Sequence, residues 1–150
     1  MQTQDIAQPT DQQDFLPING TFYIEFFVGN AKQAAFYYHY TFGYDIVGYL
    51  GPETGHRDRA SYVLQQNKVR FILTSPIKPE GFIADHVFRH GDGVRDIALW
   101  VDDARQAFRE TTQRGAEPVA EPQVFSDEDG EIVKASIKTY GDTIHTFVEN

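Results

Sequence analysis

Few side chains in this sequence could do chemistry, and one missing type narrows the choice at once. There is no cysteine. Thiol nucleophiles, disulfide frameworks and Cys-ligated zinc or iron–sulfur sites are therefore excluded, leaving histidine, carboxylates, tyrosine or a bound cofactor. Two carboxylates stand inside apolar alternating runs: Glu25 shares a strand face with Tyr23 and Phe27, and Asp96 shares one with Ala98 and Trp100. Together they would form a polar pair in an aromatic pocket, where a carboxylate of raised pKa can serve as a general base. The plainer reading is two acids on a half-exposed sheet face, solvated or paired with Arg70 or Arg95. His86 and His90 are four apart, the spacing of two metal ligands on one helix face. No Glu follows His86 as a metalloprotease would need, and Asp85 and Asp92 complete an ordinary polar face. His145 sits beside Thr146 in the last strand, so the two point to opposite faces, and His145 reads as a hydrogen-bonded packing residue. His39 and His56 have no partner at an informative spacing. Gly-rich phosphate loops and the Gly-x-Ser-x-Gly nucleophile turn are both absent.

These groups are positioned by a chain that repeats itself. Val28-Gly29-Asn30-Ala31-Lys32-Gln33-Ala34 recurs as Val101-Asp102-Asp103-Ala104-Arg105-Gln106-Ala107, 73 residues later (101 − 28). Alternating residues precede each copy, Ile24, Phe26 and Val28 in the first and Ile97, Leu99 and Val101 in the second, which predicts a half-buried strand. Asn30 and Asp103 then have the side chains of helix N-caps. The first helix is expected to end at Gly43 and the second at Gly115. Three strands should follow each helix: Tyr44 to Tyr49, Arg59 to Gln65 and Lys68 to Thr74, then Pro118 to Ala120, Glu131 to Lys138 and Thr143 to Glu149. Turns are expected at Gln66-Asn67, Asp129-Gly130 and Gly141-Asp142. Pro118 and Pro122 restrict the pairing of the strand that contains the first of them. The expected organisation is an unstructured tail over 1–20, a βαβββ module over 21–80, a linking helix and turn over 81–93, and a second βαβββ module over 94–150. Together they make one pseudo-symmetric α+β domain.

Thirteen Lys and Arg against 22 Asp and Glu leave a net charge of −9 among 150 residues. Such a surface repels nucleic acid and anionic lipid. The apolar runs are far shorter than the roughly 20 residues that cross a bilayer, and the Gln-rich start lacks the pattern of a signal peptide. A cytoplasmic protein is expected.

The order of elements resembles the vicinal oxygen chelate superfamily, in which two βαβββ modules form a curved mixed sheet around a metal or ligand cup, as in glyoxalase-like proteins. More narrowly, the chain looks like the amino-terminal half of the 4-hydroxyphenylpyruvate dioxygenase family. The matching stretches are Val28-Gly29-Asn30-Ala31-Lys32-Gln33-Ala34-Ala35, Gly51-Pro52-Glu53-Thr54-Gly55, His90-Gly91-Asp92-Gly93-Val94 and Thr139-Tyr140-Gly141-Asp142-Thr143. That resemblance implies a non-haem iron(II) oxidoreductase of tyrosine catabolism, turning 4-hydroxyphenylpyruvate and dioxygen into homogentisate and carbon dioxide. The family's iron ligands, two His and one Glu, belong to its carboxyl-terminal module pair. Carried onto this repeat, the ligand positions fall on Tyr23, Leu73, Asp96 and Thr146, of which only Asp96 is a good metal donor. The resemblance therefore implies a chain with no metal and no catalytic residue of its own, partnered by a carboxyl-terminal catalytic half. The keto acid would reach it only through the full-length protein.

Its cup would be lined by Tyr23, Glu25, Phe27, Asp96, Trp100 and Thr146. The first helix adds a feature that the fold does not require. Besides a core stripe of Ala31, Ala34, Ala35, Tyr38 and Phe42, it carries Phe36, Tyr37 and Tyr40 on a second face, which is expected to be covered by a homo-oligomer contact, the catalytic half, or the loop from Pro76 to Phe82. The leading expectation is a non-catalytic scaffold and assembly half. The alternatives are a free-standing small-molecule-binding protein that uses Tyr23, Phe27 and Trp100, or a metalloenzyme with Asp96 as a ligand.

Overall fold

The computed structural model describes residues 14–127 and 130–150. Strand β1 (Gly20–Phe27), helix α1 (Ala31–Phe42) and strands β2 (Asp45–Leu50), β3 (Arg59–Gln66) and β4 (Val69–Pro76) form the first module. Helix α2 (Phe82–His90) links it to β5 (Gly93–Trp100), α3 (Ala104–Gln113), β6 (Pro118–Asp127), β7 (Gly130–Lys138) and β8 (Ile144–Glu149). The eight strands make one curved mixed sheet in the order β2-β3-β4-β1-β5-β8-β7-β6. At its centre β1 and β5 run antiparallel, and each pairs in parallel with the last strand of its own module, β4 or β8.

Helix boundaries follow from cap chemistry. The Asn30 side chain accepts from the Gln33 N–H at 3.0 Å and Asp103 accepts from the Gln106 N–H at 2.7 Å. Each cap satisfies one of the donors that a first turn leaves free. Gly43 ends α1 at φ 76°, a left-handed conformation in which a Cβ would be strained.

Alternation along the strands assigns two faces. Val28, Ala31, Ala35, Leu64 and Leu73 pack under α1, and Val101, Ala107, Phe108, Ala135 and Phe147 pack under α3. The opposite face is crossed by α2 at one end, where Phe27 meets Phe82 and His86 edge-on at 5.9 and 5.1 Å.

Four expectations are corrected. The tail is not free up to residue 20: Leu16 packs on the core beneath α3, the Arg114 guanidinium lies 4.0 Å from the Phe15 ring centre, and Gly20 already opens β1. Two apolar side chains on one short segment are what dock it. Strand β6 runs well beyond Ala120, because register shifts on either side of Ala120 let the ladder pass Pro122. Phe42 leaves the core stripe and is exposed, its place taken by Tyr44, which stacks on Phe71 at 4.9 Å. The last-strand position matching Thr146 is Thr74 rather than Leu73, since Leu73 belongs to the helix-covered face. The turn expected at Asp129 lies outside the described residues.

If the caps set the helix starts, Asn30→Ala and Asp103→Ala should each lower stability by about 0.5 to 2 kcal/mol. The double variant should lose about the sum, because the two sites are far apart. Urea denaturation of the three variants would check this, and unchanged midpoints would show that the caps are idle.

Candidate functional site

The helix-free face of the central strands holds the chain's most unusual polar chemistry. Antiparallel pairing of β1 and β5 sets Glu25 directly across from Asp96. Each carboxylate is served by a hydroxyl relay from its own module. In the first, Ser61 and Thr74 are 2.8 Å apart and Thr74 Oγ1 donates to Glu25 Oε1 at 2.7 Å. In the second, Ser136 and Thr146 are 2.8 Å apart and Thr146 Oγ1 donates to Asp96 Oδ2 at 2.6 Å. Because each threonine gives its proton to a carboxylate, each serine must donate to the threonine. Tyr23 adds a second donor to Asp96 Oδ2 at 3.1 Å. The two threonines lie 72 residues apart (146 − 74), so the relays are copies of one device.

The surroundings are dry. Asp96 is 3 % exposed, and Tyr23, Ser61, Thr74, Ser136 and Thr146 are also buried. Burial raises the pKa of Asp96, opposed by the hydroxyls of Thr146 and Tyr23. Burial likewise raises Glu25, opposed by Thr74 and aggravated by the nearby Asp96 charge. The Tyr23 phenol is pushed up by burial and by both carboxylates, so it remains a donor. Lys134 on β7 holds its ammonium between the rings of Tyr23 and Phe125, 5.5 and 5.7 Å from their centres, and burial lowers its pKa.

This donor set does not suit iron(II) of the two-histidine, one-carboxylate type. Among the described residues, hydroxyl groups take Glu25 Oε1 and Asp96 Oδ2, which leaves the buried Asp96 Oδ1 as a lone oxygen without a hydrogen-bond partner, and no three His, Cys, Asp or Glu side chains are grouped to hold a metal. His86 is packed on Phe27, while His145 lies on the helix-covered face with Nδ1 2.9 Å from the Ile97 carbonyl.

The residues expected to line one cup separate in space. Tyr23, Glu25, Asp96 and Thr146 meet in the network, and Phe27 lies beside it, sealed by α2. Trp100 does not join them. It sits at the far end of β5, 44 % exposed, in a separate depression with Gly20, Phe22, Lys68 and Arg70. Neither arginine bonds to the acids: Arg70 reaches Gln65 at 3.4 Å, and Arg95 reaches the Asp142 carbonyl while lying over Phe82. Sequence reasoning missed Ser61, Thr74, Ser136 and Lys134. Their only trace is alternation on β3, β4 and β7, which requires the strand register before it can be read.

Both carboxyl groups hold their protons to higher pH in the folded chain than in the unfolded one. Their contribution to stability is thus present at low pH and is lost as pH rises through the folded pKa. Asp96→Asn keeps an acceptor for Tyr23 and Thr146 without the charge. The stability of this variant relative to the parent should improve as pH rises above the ordinary carboxylate range, followed by the denaturation midpoint. A difference that does not change with pH would mean that Asp96 is ionised in the fold without cost.

Comparison with known proteins follows the same lines. The family described as "Hydroxyphenylpyruvate dioxygenase, HPPD, N-terminal" matches residues 13–150. The 4-hydroxyphenylpyruvate dioxygenase of Coccidioides posadasii is 41% identical over 155 residues, covering 95% of this chain and 39% of that protein. The Dictyostelium discoideum protein of the same name is 43% identical over 134 residues, covering 88% and 36%. The chain thus spans less than two fifths of these curated relatives. Among solved structures, a mutant 4-hydroxymandelate synthase from Streptomyces coelicolor superposes with a TM-score of 0.83 at 30% identity, covering 89% of this chain and 39% of that one. Methylmalonyl-CoA epimerase from Mycobacterium tuberculosis superposes at 0.69 with 18% identity, covering 89% of each chain, a likeness of fold alone. With its paired βαβββ modules, this chain belongs to the hydroxyphenylpyruvate dioxygenase family and corresponds to its amino-terminal domain.

Proposed function

We propose that this chain is the non-catalytic scaffold and assembly half of a 4-hydroxyphenylpyruvate dioxygenase-like enzyme acting in tyrosine catabolism in the cytoplasm. The observation that carries this reading is the filled cup. The face that in the superfamily surrounds a metal or ligand is here closed by its own hydroxyl relays and aromatic rings, with Asp96 3 % exposed. Iron(II), when bound, would supply oxygen activation on the carboxyl-terminal portion that the longer relatives possess. The residues of this chain hold the two modules together and present a surface. The same filled cup speaks against a free-standing binding protein built on Tyr23, Phe27 and Trp100, since the first two are buried and the third lies elsewhere.

The surface to be presented is α1. Phe36, Tyr37 and Tyr40 are exposed, Tyr40 to 75 %, and Phe36 stacks on Tyr40 with ring centres 5.7 Å apart. The loop after β4 does not cover them, because it leads into α2 on the opposite face. We assign this face to a homo-oligomer contact. Burying each large side chain is worth about 1.5 to 3 kcal/mol.

Two measurements test the proposal. Purified chain with iron(II), ascorbate and 4-hydroxyphenylpyruvate should take up no oxygen above the protein-free rate, and turnover with stoichiometric iron would overturn the non-catalytic reading. Sedimentation equilibrium should show self-association that a Phe36→Ser, Tyr40→Ser variant loses while its circular dichroism is unchanged. A parent chain that stays monomeric at high micromolar concentration would remove α1 as an assembly surface.

A further inference from the structure

Each module has a groove where its first strand hands over to its first helix, and the two modules treat it differently. In the second, Val101, Asp103, Gln106 and Ala107 line the groove and Phe15, Leu16 and Pro17 lie against it. Counting back 73 residues gives Val28, Asn30, Gln33 and Ala34, which line the matching groove of the first module. The anchoring hydrogen bond is repeated as well. Asn19 Nδ2 donates to Asp102 Oδ1 at 2.7 Å, and at the positions 73 residues away the Gly29 N–H donates to Asp92 Oδ1, also at 2.7 Å. The filler is not repeated. Residues 88–90, the counterparts of 15–17, are wound into the last turn of α2 on the opposite face, and Phe88, the counterpart of Phe15, is 91 % exposed. The first groove remains open at 730 Å³, against 200 Å³ for the second.

Beside the open groove the helix surface changes character. Where α3 carries Arg109, Glu110 and Gln113, the matching positions of α1 are Phe36, Tyr37 and Tyr40. From Ala31 to Phe42 there is no carboxylate, in a chain of net charge −9. Among the described residues the one carboxylate that lines the groove, Asp92, accepts the Gly29 N–H, so two copies can meet along this helix with little of the acidic repulsion that the rest of the surface would impose. At about 100° per residue, groove-lining Ala34 and Tyr38 fall on one side of Tyr37, and Tyr40 and Phe36 fall at equal angles on the other. A hole and a knob placed symmetrically about one line form a self-complementary patch.

Building on the proposed self-association, we infer that the open first-module groove is filled by a second copy of this chain. The stacked Phe36–Tyr40 pair of each copy enters the groove of the other, as Phe15, Leu16 and Pro17 fill the groove of the second module. The two-fold axis runs along α1 beside Tyr37, so the paired helices are parallel.

Because the sequence has no cysteine, single-cysteine variants of the full chain read this geometry directly. Tyr37→Cys should join to itself under mild oxidation and run at twice the monomer mass, while Phe88→Cys on the far face should not. A mixture of Ala34→Cys and Phe36→Cys chains, treated with a short bifunctional maleimide, should give more dimer than either chain alone. Ala34→Trp, which plugs the groove, should abolish association in sedimentation equilibrium with circular dichroism unchanged. A parent chain that associates although Tyr37→Cys and the mixture fail to link, or although Ala34→Trp is in place, would overturn the groove exchange and leave the self-association reading standing. A monomeric parent would overturn both. A monomer whose Ala34→Cys thiol resists alkylation until Phe88 is replaced by Ser would instead assign the groove to the chain's own Phe88.

Discussion

The seam between β1 and β5 imposes the constraint around which the sheet is organised. It is the only strand pairing that joins the two modules among the described residues, and its register sets half-buried Glu25 face to face with buried Asp96. Bare charges at that separation in low dielectric would oppose folding. The sheet meets this with hydroxyl donors supplied in pairs from the outer strands, Ser61 and Thr74 on one side and Ser136 and Thr146 on the other, with Tyr23 bridging to Asp96. The register of six strands is therefore fixed by polar satisfaction as well as by apolar alternation. A slip of one residue on β4 or β8 would carry a threonine to the helix-covered face and leave its carboxylate unserved.

The same network sets what the helix-free face has to offer a ligand. A cup needs several donors with free lone pairs and room between them; here Glu25 Oε1 and Asp96 Oδ2 accept protons from neighbouring side chains, aromatic rings take up the room, and buried Asp96 Oδ1 is left unpartnered among the described residues. Lys134 between Tyr23 and Phe125 completes the filling with a cation held by ring faces. The reading of this chain as a scaffold half rests on that closure. Its place within a longer family comes from relatives that extend well past the region matched here.

Internal repetition also exposes what differs. The two modules share cap chemistry, strand order, hydroxyl relay and groove, so departures between them stand out against a built-in control. The second module is finished by the chain's own Phe15, Leu16 and Pro17, with charged residues outward on α3. The first is left unfinished, with an open groove, a ring pair and no acid on α1.

How far the sequence reached can be judged residue by residue. It fixed the two modules, because a 73-residue repeat, Asn30 and Asp103 as caps, and Gly43 as a terminator are local signals that need only neighbouring backbone to act. It also located Glu25 and Asp96, since an acid within an alternating apolar run is visible in one dimension. It left their partners open between water and Arg70 or Arg95, whereas hydroxyls make the hydrogen bonds and Arg95 acts through its charge alone. Ser61, Thr74 and Ser136 are unremarkable residues whose meaning comes from cross-strand register between positions 10 to 50 apart. It set Trp100 beside Asp96, whereas the length of β5 carries that ring away to the sheet's end. It released the segment before β1, where Phe15 and Leu16 find a groove that exists only once α3 has packed. Local chemistry determined which elements form, and only the assembled sheet decided which side chains meet, because those contacts depend on register and packing that no single stretch of chain contains.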